Sequence, residues 1–339
     1  MAKVLMIGFG SVARELAKMV GENRQRLQSY GFEFVPIGIF TKSRGNLVDE
    51  KGIDLRRALA DVTEKGRFAP PSAGMTPLEA CRVLDYDVLV ELSPLSIEGR
   101  GEPAISHIRA ALERGCSAVT ANKGPVAFSY PNLAALAERN GARFLFESTV
   151  MDGSPVFNMV ARCMKGSQIT GFSGVLNSTT NYILGRMEEG ATLQEATREA
   201  IEAGTAEADP SNDIDGWDAA TKVSALARVL MDADITPLEV ERSGIRHVTN
   251  RMIEEAKSRG KRLKLICRAT RESSSVRASV GLEEFDERHI VGSLSAFDSA
   301  LCLESDVMVP NYIVQKSSTP RDTAFGVLED LLSIFCDRA

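Results

Sequence analysis

The sequence predicts an α/β protein of two domains, in which a doubly wound parallel sheet precedes an α+β domain with a mixed or antiparallel sheet. Three observations carry this prediction. The chain has 339 residues, which is more than one hydrophobic core usually serves. Within residues 1–143, buried-type strands alternate with helical patterns. Later strands follow one another mostly through hairpin-length connections.

The chain begins with a predicted strand, a glycine turn and a helix. The apolar strand Lys3–Ile7 runs into Gly8-Phe-Gly-Ser-Val-Ala13, and a helical pattern follows. Gly8 permits a tight turn, Gly10 lets the backbone approach a pyrophosphate, and Ala13 is small where the helix packs on the strand. A structural glycine turn would show the same letters, but the position after a buried strand favours a Rossmann-type dinucleotide-binding domain. We expect cofactor contacts at Gly8, Phe9, Gly10, Ser11 and Val12.

The second strand, Phe32–Phe40, leads to the residues that distinguish NAD from NADP. NAD-binding domains carry an acidic residue at the end of this strand, where it binds the ribose hydroxyls. This sequence has Thr41, Lys42 and Arg44 there instead. Two cations and a hydroxyl suit a 2′-phosphate, so NADP(H) is favoured, with NAD(H) or an ordinary basic loop as the alternatives.

Further along, a helix is expected around residues 55–62, and strands Asp87–Leu92 and Cys116–Thr120 flank a helix predicted at Glu102–Arg114. Ligands of doubly wound sheets bind beyond the carboxyl ends of the strands. The residues after these two strands are therefore expected at the cofactor site, namely Ser93, Pro94, Asn122 and Lys123.

From residue 144 the pattern is that of a second domain. It predicts strands at 144–153, 167–176, 261–270, 274–284, 289–295 and 299–309, and helices at 155–164, 182–190, 191–204 and 217–231. An amphipathic helix at Thr319–Arg338 is expected to pack back on the first domain. We therefore assign residues 1–143, completed by a C-terminal segment 311–339, to the dinucleotide-binding domain, and residues 144–310 to the second domain.

The composition is that of a water-soluble globular protein, with 44% hydrophobic and 25% charged residues. A formal net charge of −6 gives no reason to expect nucleic acid or an anionic membrane as a partner. The sequence shows neither a signal peptide nor an 18-residue apolar run, and its six scattered cysteines read as reduced thiols, so we expect a cytoplasmic protein. With only three histidines, proton transfer would fall to Asp, Glu or Lys.

Residues 206–222 hold five carboxylates and end in a lysine. An EF-hand calcium site is excluded because Lys222 would stand where the bidentate glutamate belongs. From Trp217 onwards the apolar residues recur with the helical period, with Asp215 expected as the helix cap and Gly216 just inside.

One face of this helix, carrying Thr221, Ser224 and Arg228, is predicted to meet solvent. Asp218 and Lys222 lie four residues apart and share a different face. The helical period alone leaves open whether they form a stabilising ion pair or a functional pair.

These residues form a longer pattern that resembles the homoserine dehydrogenase family. Matching positions in the acidic stretch and its flank are Ala200, Gly204, Ala206, Asp209-Pro210, Asp213-Ile214, Gly216, Asp218 and Lys222. The Gly8 turn, Thr120-Ala-Asn-Lys123 and Gly174-Val-Leu-Asn-Ser-Thr-Thr-Asn-Tyr-Ile-Leu184 match as well, in the same order along most of the chain. The resemblance implies an NAD(P)-dependent interconversion of aspartate 4-semialdehyde and homoserine, on the route to threonine, methionine and isoleucine. Hydride would pass between the nicotinamide C4 and the substrate C4.

The resemblance also implies roles for single side chains. The catalytic residues would be Lys123, Lys222 and Asp218, with the lysines assisting proton transfer at the substrate oxygen and holding the semialdehyde. Which lysine moves the proton stays open. Substrate-binding positions would be Glu207, Asp213, Ser178, Thr179 and Thr205. Carboxylates suit the ammonium group of an amino-acid substrate, and a developing alkoxide needs a nearby cation or acid.

The family also binds a monovalent cation, usually sodium, mainly through backbone carbonyls. The matching positions are Glu147, Val150, Asp152 and Ser154. Several positions depart from the family pattern: Thr205 replaces a bulky residue, Ser178 replaces a glycine, Met151-Asp152 alters the cation loop, and residues 317–321 replace a Gly-Ala-Gly loop. These departures predict an altered substrate fit or weaker cofactor binding before they predict loss of the chemistry.

We therefore expect an NADP-preferring homoserine dehydrogenase that forms a homodimer through its second, substrate-binding and dimerisation domain. Thr205 and Ser178 motivate one alternative, a related oxidoreductase acting on a different semialdehyde or amino alcohol. The changed loop at 317–321 motivates another, a nucleotide-binding protein without turnover. The sequence shows no regulatory amino-acid-binding extension, so we expect no feedback inhibition by threonine through one.

Overall fold

A computed structural model describes residues 1–71, 74–204, 206 and 209–336. The chain forms two compact units, Met1–Pro155 with Thr319–Ala339, and Val156–Ser318. These bounds correct the predicted ones (1–143, 144–310 and 311–339) because of strand pairing. Residues 144–145 join the sheet of the first unit, and residues 311–315 form a strand in the sheet of the second.

The first unit is a doubly wound sheet, as predicted. Its strands are β1 (Ala2–Ile7), β2 (Phe34–Phe40), β3 (Leu47–Val48), β4 (Val88–Glu91), β5 (Ser117–Thr120) and β6 (Phe144–Leu145). They lie in the order β3-β2-β1-β4-β5-β6, all parallel except β3, which is antiparallel to β2. The strand order reverses beside β1, which puts the predicted ligand crevice at the carboxyl ends of β1 and β4.

Helices connect and cover these strands. They are α1 (Ser11–Glu22), α2 (Arg24–Ser29), α3 (Leu55–Lys65), α4 (Pro77–Val83), α5 (Ala104–Glu113) and α6 (Lys123–Arg139), with a 3₁₀ helix at Glu147–Thr149 and the last helix of the chain, α13, at Pro320–Cys336. Leu328 and Leu331 of α13 share one core with Leu16 of α1 and Val4 of β1. The C-terminal helix therefore buries its apolar side in the first unit.

The second unit contains a mixed sheet, which confirms the predicted fold class. Its strands are β7 (Ile169–Val175), β8 (Glu241–Arg242), β9 (Lys261–Glu272), β10 (Ser275–Asp286), β11 (Ser299–Ser305) and β12 (Asn311–Gln315). The order is β12-β11-β7-β9-β10-β8, antiparallel throughout except for β8 with β10. Its helices are α7 (Val156–Cys163), α8 (Ser178–Glu188), α9 (Leu193–Glu202), α10 (Ser211–Ile214), α11 (Trp217–Met231) and α12 (Asn250–Ser258).

Two predicted strands are wrong. Residues 289–295 form turns instead of a strand, and Val291 and Leu294 reach the core from these turns. The backbone folds back so closely there that a Cβ on Gly292 would lie 2.0 Å from the Asp286 carbonyl oxygen. Residues 144–153 give a two-residue strand and a 3₁₀ helix instead of one long strand.

The predicted solvent face of α11 is also wrong. Thr221, Ser224 and Arg228 are all buried. Thr221 Oγ1 donates to the Trp217 carbonyl at 2.8 Å, and Ser224 Oγ and Arg228 Nε both donate to the Ile235 carbonyl, at 2.6 and 2.9 Å. Polar groups can be buried when they are hydrogen-bonded in this way, so a polar stripe does not have to face water.

None of the described helices is long and apolar enough to cross a membrane. The six cysteines, all of them within the described residues, are free thiols.

Candidate active site

The glycine turn after β1 has the backbone that a dinucleotide requires. Gly8 has a φ of +96°, and a Cβ there would lie 2.5 Å from the Leu92 oxygen, so both conformation and space demand glycine. Gly10 differs, because a Cβ at this position would meet none of the described residues within 4 Å. Gly10 stands at the N-terminus of α1, whose amides and dipole favour an anion. The space beside Gly10 therefore suits a pyrophosphate.

The basic loop after β2 lies against this turn. Arg44 Nη1 donates to the Phe9 carbonyl at 3.0 Å, and the Arg44 amide donates to Thr41 Oγ1 at 2.9 Å. Lys42 is exposed. Two of the three predicted cofactor residues of this loop thus hold it in place, and the guanidinium stands directly beside the glycine turn.

The ends of β4 and β5 bring the other predicted cofactor residues together. Asn122 Oδ1 accepts from the Gly124 amide at 2.9 Å and so caps α6. Asn122 Nδ2 donates to Ser93 Oγ at 3.4 Å and to the Pro94 carbonyl at 3.3 Å. Lys123 is the first residue of α6 and is half-buried.

Of the remaining turn residues, Ser11 is exposed, whereas the Phe9 side chain is buried against Phe68 and Val12 packs on the core. Phe9 and Val12 can therefore meet a cofactor mainly through their backbone. A cleft of about 400 Å³ opens beside the start of α1. It is lined by Arg14, Lys18 and Arg321 together with Glu15, which pairs with Lys18 at 2.7 Å and with Arg321 at 3.7 Å. The glycine turn, the open helix terminus and this cleft fit a phosphate-bearing dinucleotide.

In the second unit, the centre of the candidate substrate site is Asn177. Its Oδ1 caps α8 by accepting from the Thr180 amide at 2.8 Å. Its Nδ2 donates to Asp213 Oδ1 at 2.6 Å and to Asp218 Oδ2 at 2.9 Å. One amide group therefore orients two carboxylates that are 36 and 41 residues away along the chain.

Lys222 completes this cluster. Its Nζ lies 3.0 Å from Asp218 Oδ2 and donates to the Leu176 carbonyl at 2.6 Å. The side chains of Lys222 and Asp218 are only 17% and 15% exposed. The predicted i, i+4 pair is thus formed, and it is partly buried, so its charges are less screened by water than those of a surface pair.

A buried thiol lies near the pair. Burial raises the pKa of Cys267 to about 12, with Lys222 acting to lower this pKa and Asp218 to raise it. The thiol is consequently neutral near pH 7. Asp218 also stands in the first turn of α11, where the helix dipole favours a negative charge.

The rest of the acidic stretch serves other purposes. Asp215 forms a two-pronged ion pair with Arg246, at 2.7 and 2.9 Å, and the Arg246 hydrogen bond holds the pKa of this carboxyl below its usual range. Asp215 is therefore not the predicted helix cap. Gly216 takes that position with a φ of +78°, and Trp217 begins the helix. Asp209 accepts from the hydroxyl and amide of Ser211 at 2.6 and 3.1 Å.

The other predicted site residues are placed as follows. Ser178 and Thr179 form the first turn of α8 beside Asn177, with Ser178 half-buried and Thr179 buried. Thr205 and Glu207 lie outside the described residues. Glu147 and Val150 are buried, and Asp152 Oδ1 accepts from Thr323 of α13 at 2.8 Å. Ser154 closes a turn on the Met151 carbonyl. A cation at Glu147, Val150, Asp152 and Ser154 stays a prediction, and no cluster of three or more His, Cys, Asp or Glu among the described residues could hold a metal ion.

The sequence reasoning assigned no function to two residues that the structure places at these sites. Asn177 is the first, although its position between a strand and a helix is a recognisable capping signal. The second is Glu91, a buried carboxylate under Ser93. No sequence signal marked Glu91, since it reads as the last residue of a buried strand.

Comparison with known proteins agrees with this arrangement. The family model described as "Homoserine dehydrogenase, NAD binding domain" matches residues 8–147, and the model described as "Homoserine dehydrogenase" matches residues 155–332. An NAD(+)-dependent homoserine dehydrogenase of Pseudomonas canavaninivorans is 35% identical, with 98% of this chain and 96% of that protein covered. A homoserine dehydrogenase of Methanocaldococcus jannaschii is 32% identical, with 98% of each chain covered.

Solved structures give the same result. A structure of a homoserine dehydrogenase from Archaeoglobus fulgidus superposes with a TM-score of 0.87 at 30% identity and covers 99% of both chains. A hyperthermophilic archaeal homoserine dehydrogenase in complex with NADPH superposes with a TM-score of 0.83 at 28% identity, covering 98% of this chain and 97% of that one. With both family models matched in order and full-length relatives above 30% identity, the chain belongs to the homoserine dehydrogenase family of NAD(P)-dependent oxidoreductases.

Proposed function

We propose that this protein catalyses the reversible, NADP(H)-preferring reduction of aspartate 4-semialdehyde to L-homoserine. The observation that carries the proposal is the cluster around Asn177, in which Asp213, Asp218 and Lys222 are held together by direct hydrogen bonds. A family member that had lost the chemistry would have no need to keep a lysine and two carboxylates in this arrangement.

The cluster suits both ends of an amino-acid aldehyde. When bound, the nicotinamide supplies the hydride that the aldehyde carbon receives. Lys222 Nζ lies 3.0 Å from Asp218 Oδ2, and its ammonium group can stabilise the negative charge that develops on the substrate oxygen. Asp213 supplies a carboxylate for the substrate ammonium, with Glu207 as its predicted companion. Lys123, at the start of α6 in the first unit, is the other proposed lysine for proton transfer at the oxygen.

The loop after β2 supports the preference for NADP(H). The position where NAD-binding domains have an acidic residue holds Thr41, and the exposed Lys42 and the Arg44 guanidinium follow. The relatives do not decide the matter, because one is named as NAD(+)-dependent and another is a complex with NADPH.

The cellular setting is part of the same proposal. Homoserine formation belongs to threonine and methionine biosynthesis, and we propose a cytoplasmic homodimer. The edge of the second sheet supports a dimer, since β12 and the preceding turn expose Val307, Val309 and Val314. The unpaired backbone groups of an apolar edge strand are a template for pairing with another chain, and exposed apolar patches mark interaction sites.

The activity is tested by mixing purified protein with NADPH and aspartate 4-semialdehyde and following loss of absorbance of the reduced cofactor. Lys222→Met should reduce kcat at least about 100-fold, since removal of one group that stabilises a developing oxyanion has this effect. Its matched control is Arg251→Met, which removes an exposed i, i+4 ion pair on α12 and should leave kcat unchanged. Protein that binds NADPH yet consumes none with this substrate would refute the activity and favour a different substrate or a non-catalytic role.

The cofactor preference has its own test. Lys42→Ala should weaken NADPH binding about tenfold and NADH binding hardly at all, because only NADPH carries the 2′-phosphate. Lys51→Ala, an exposed lysine of the same unit, is the control. Equal losses for the two cofactors would show that this loop does not read the phosphate.

A further inference from the structure

A fully buried carboxylate lies directly beneath the predicted cofactor-binding edge. Glu91 is the last residue of β4 and has 0% exposure. Val88 and Val90 face the core shared with α1 and α13, so the alternation of the strand turns Glu91 towards α4 and α5. There His107 Nδ1 of α5 lies 3.7 Å from Glu91 Oε1. Burial, reinforced by this carboxylate, raises the pKa of Cys81 on α4 to about 12.

This position is costly for a carboxylate. Among the described residues, Glu91 Oε2 and His107 Nδ1 are buried without a hydrogen-bond partner. Burying an incompletely paired carboxylate costs several kcal/mol in general. A fold that needed only packing would be more stable with an apolar residue here, so the carboxylate has a use beyond packing.

The use follows from the hydrogen bonds of Ser93. A serine hydroxyl has one proton and two lone pairs. The Ser93 hydroxyl donates its proton to Glu91 Oε1, which also accepts from the Ser93 amide at 3.4 Å. Asn122 Nδ2 donates to Ser93 Oγ at 3.4 Å, while Asn122 Oδ1 is occupied by the Gly124 amide. With its proton committed to Glu91, the half-buried Ser93 Oγ can only accept from a ligand.

We propose that Glu91 is a positioning residue that fixes Ser93 as a hydrogen-bond acceptor for the nicotinamide half of the dinucleotide. The cofactor group that donates to Ser93 Oγ is either a ribose hydroxyl or the carboxamide amino group. The main chain supports this placement, because Thr120 Oγ1 donates to the Glu91 carbonyl at 2.8 Å and accepts from the Asn122 amide at 2.9 Å. The inference rests on dinucleotide binding in the proposed function and not on turnover of any substrate.

The test is equilibrium binding of NADPH, or of NADH if it binds more tightly, followed by cofactor fluorescence in the absence of substrate. Glu91→Met and Ser93→Ala should each weaken binding about three- to tenfold, the value of one hydrogen bond. The double variant should bind like Ser93→Ala alone, because Glu91 acts through Ser93. Additive losses in the double variant would overturn the proposal.

Cofactor fragments identify the half that is affected. Adenosine 2′,5′-bisphosphate (ADP if NADH is the ligand) lacks the nicotinamide half and should bind Glu91→Met as it binds the wild type. An equal loss for this fragment would reveal a merely structural residue. A loss shared by ADP-ribose (2′-phosphorylated when NADPH is the ligand) would assign the donor to the ribose, and a loss confined to the intact cofactor to the carboxamide.

Glu91→Gln keeps the side-chain volume and one acceptor oxygen, and it decides the question if Glu91→Met does not fold. This variant should bind the cofactor within about twofold of wild type, since Ser93 can still donate to it. A loss of tenfold would show that charge matters and not the direction of the Ser93 hydroxyl. Failure of the proposed activity would leave these binding results unchanged, so the two proposals fail separately.

Discussion

Replacement of Asn177 tests the geometry of the candidate substrate site most directly. The side chain does two jobs that can be separated, because its oxygen caps α8 and its amide nitrogen orients Asp213 and Asp218. Asp and Ser cap helices about as well as Asn does. Asn177→Asp and Asn177→Ser should therefore keep the cap and remove the amide that joins the carboxylates.

The size of the effect follows from the two bonds that are lost. A hydrogen bond to a charged group contributes about 1.5–3 kcal/mol. Asp218 retains 15% side-chain exposure, so water can replace part of that amount. We take about 2–3 kcal/mol for the two bonds together, which corresponds to a fall in kcat/KM of about 30- to 150-fold. Asn177→Asp should fall further than Asn177→Ser, since a third carboxylate would repel the other two.

The assay is steady-state oxidation of homoserine with each variant, accompanied by thermal unfolding. Asn177→Ala should also lose the cap and about 1 kcal/mol of stability, whereas the Asp and Ser variants should keep the α8 cap. Cofactor affinity should stay within about twofold of wild type in all three variants. The hydrogen bonds that are lost go to Asp213 and Asp218, which are predicted substrate-binding and catalytic residues and not cofactor-binding residues. If Asn177→Ser retained kcat/KM within threefold of wild type, the hydrogen bonds from Asn177 to Asp213 and Asp218 would have no part in substrate binding, and the reasoning would be refuted.

Three further predictions concern single positions. Gly8→Ala should destabilise the fold because its Cβ would lie 2.5 Å from the Leu92 carbonyl oxygen, and a variant as stable as the wild type would contradict this reasoning. Gly10→Ala should keep the melting temperature of the wild type but bind NADPH more weakly. Asp218→Asn should lower kcat strongly. Asp215→Asn should leave kcat unaltered and change the free energy of unfolding by less than about 1 kcal/mol, because its partner Arg246 is largely exposed. Equal kinetics for the two variants would be evidence against separate roles for these two carboxylates. Burial lowers the pKa of Lys264 from 10.5 to about 8, so the cost of burying its charge is present below pH 8 and disappears as the pH rises from 8 to 10.5. Urea unfolding should therefore show that the wild type gains stability relative to Lys264→Met across that pH window. A constant difference in stability would show that Lys264 does not titrate there.

The sequence by itself determined the features that depend on neighbours along the chain. The strand, glycine turn and helix at residues 3–20 follow from local conformational needs, above all at Gly8. The contact between Asp218 and Lys222 follows from the helical repeat. The alternation of strands and helices was enough to predict a doubly wound sheet.

Only the tertiary structure decided which polar groups meet across long stretches of chain. Asp213 and Asp218 point to Asn177, and Asp215 points to Arg246, although all three look alike in the sequence. The polar face of α11 is buried because Ile235 supplies the acceptor that Ser224 and Arg228 need. The periodicity of polar and apolar side chains shows which residues share one face of a helix or strand. It does not show which distant segment covers that face or supplies its hydrogen bonds. For the same reason Glu91 could be recognised as more than a strand residue only when Ser93 and His107 were seen around it.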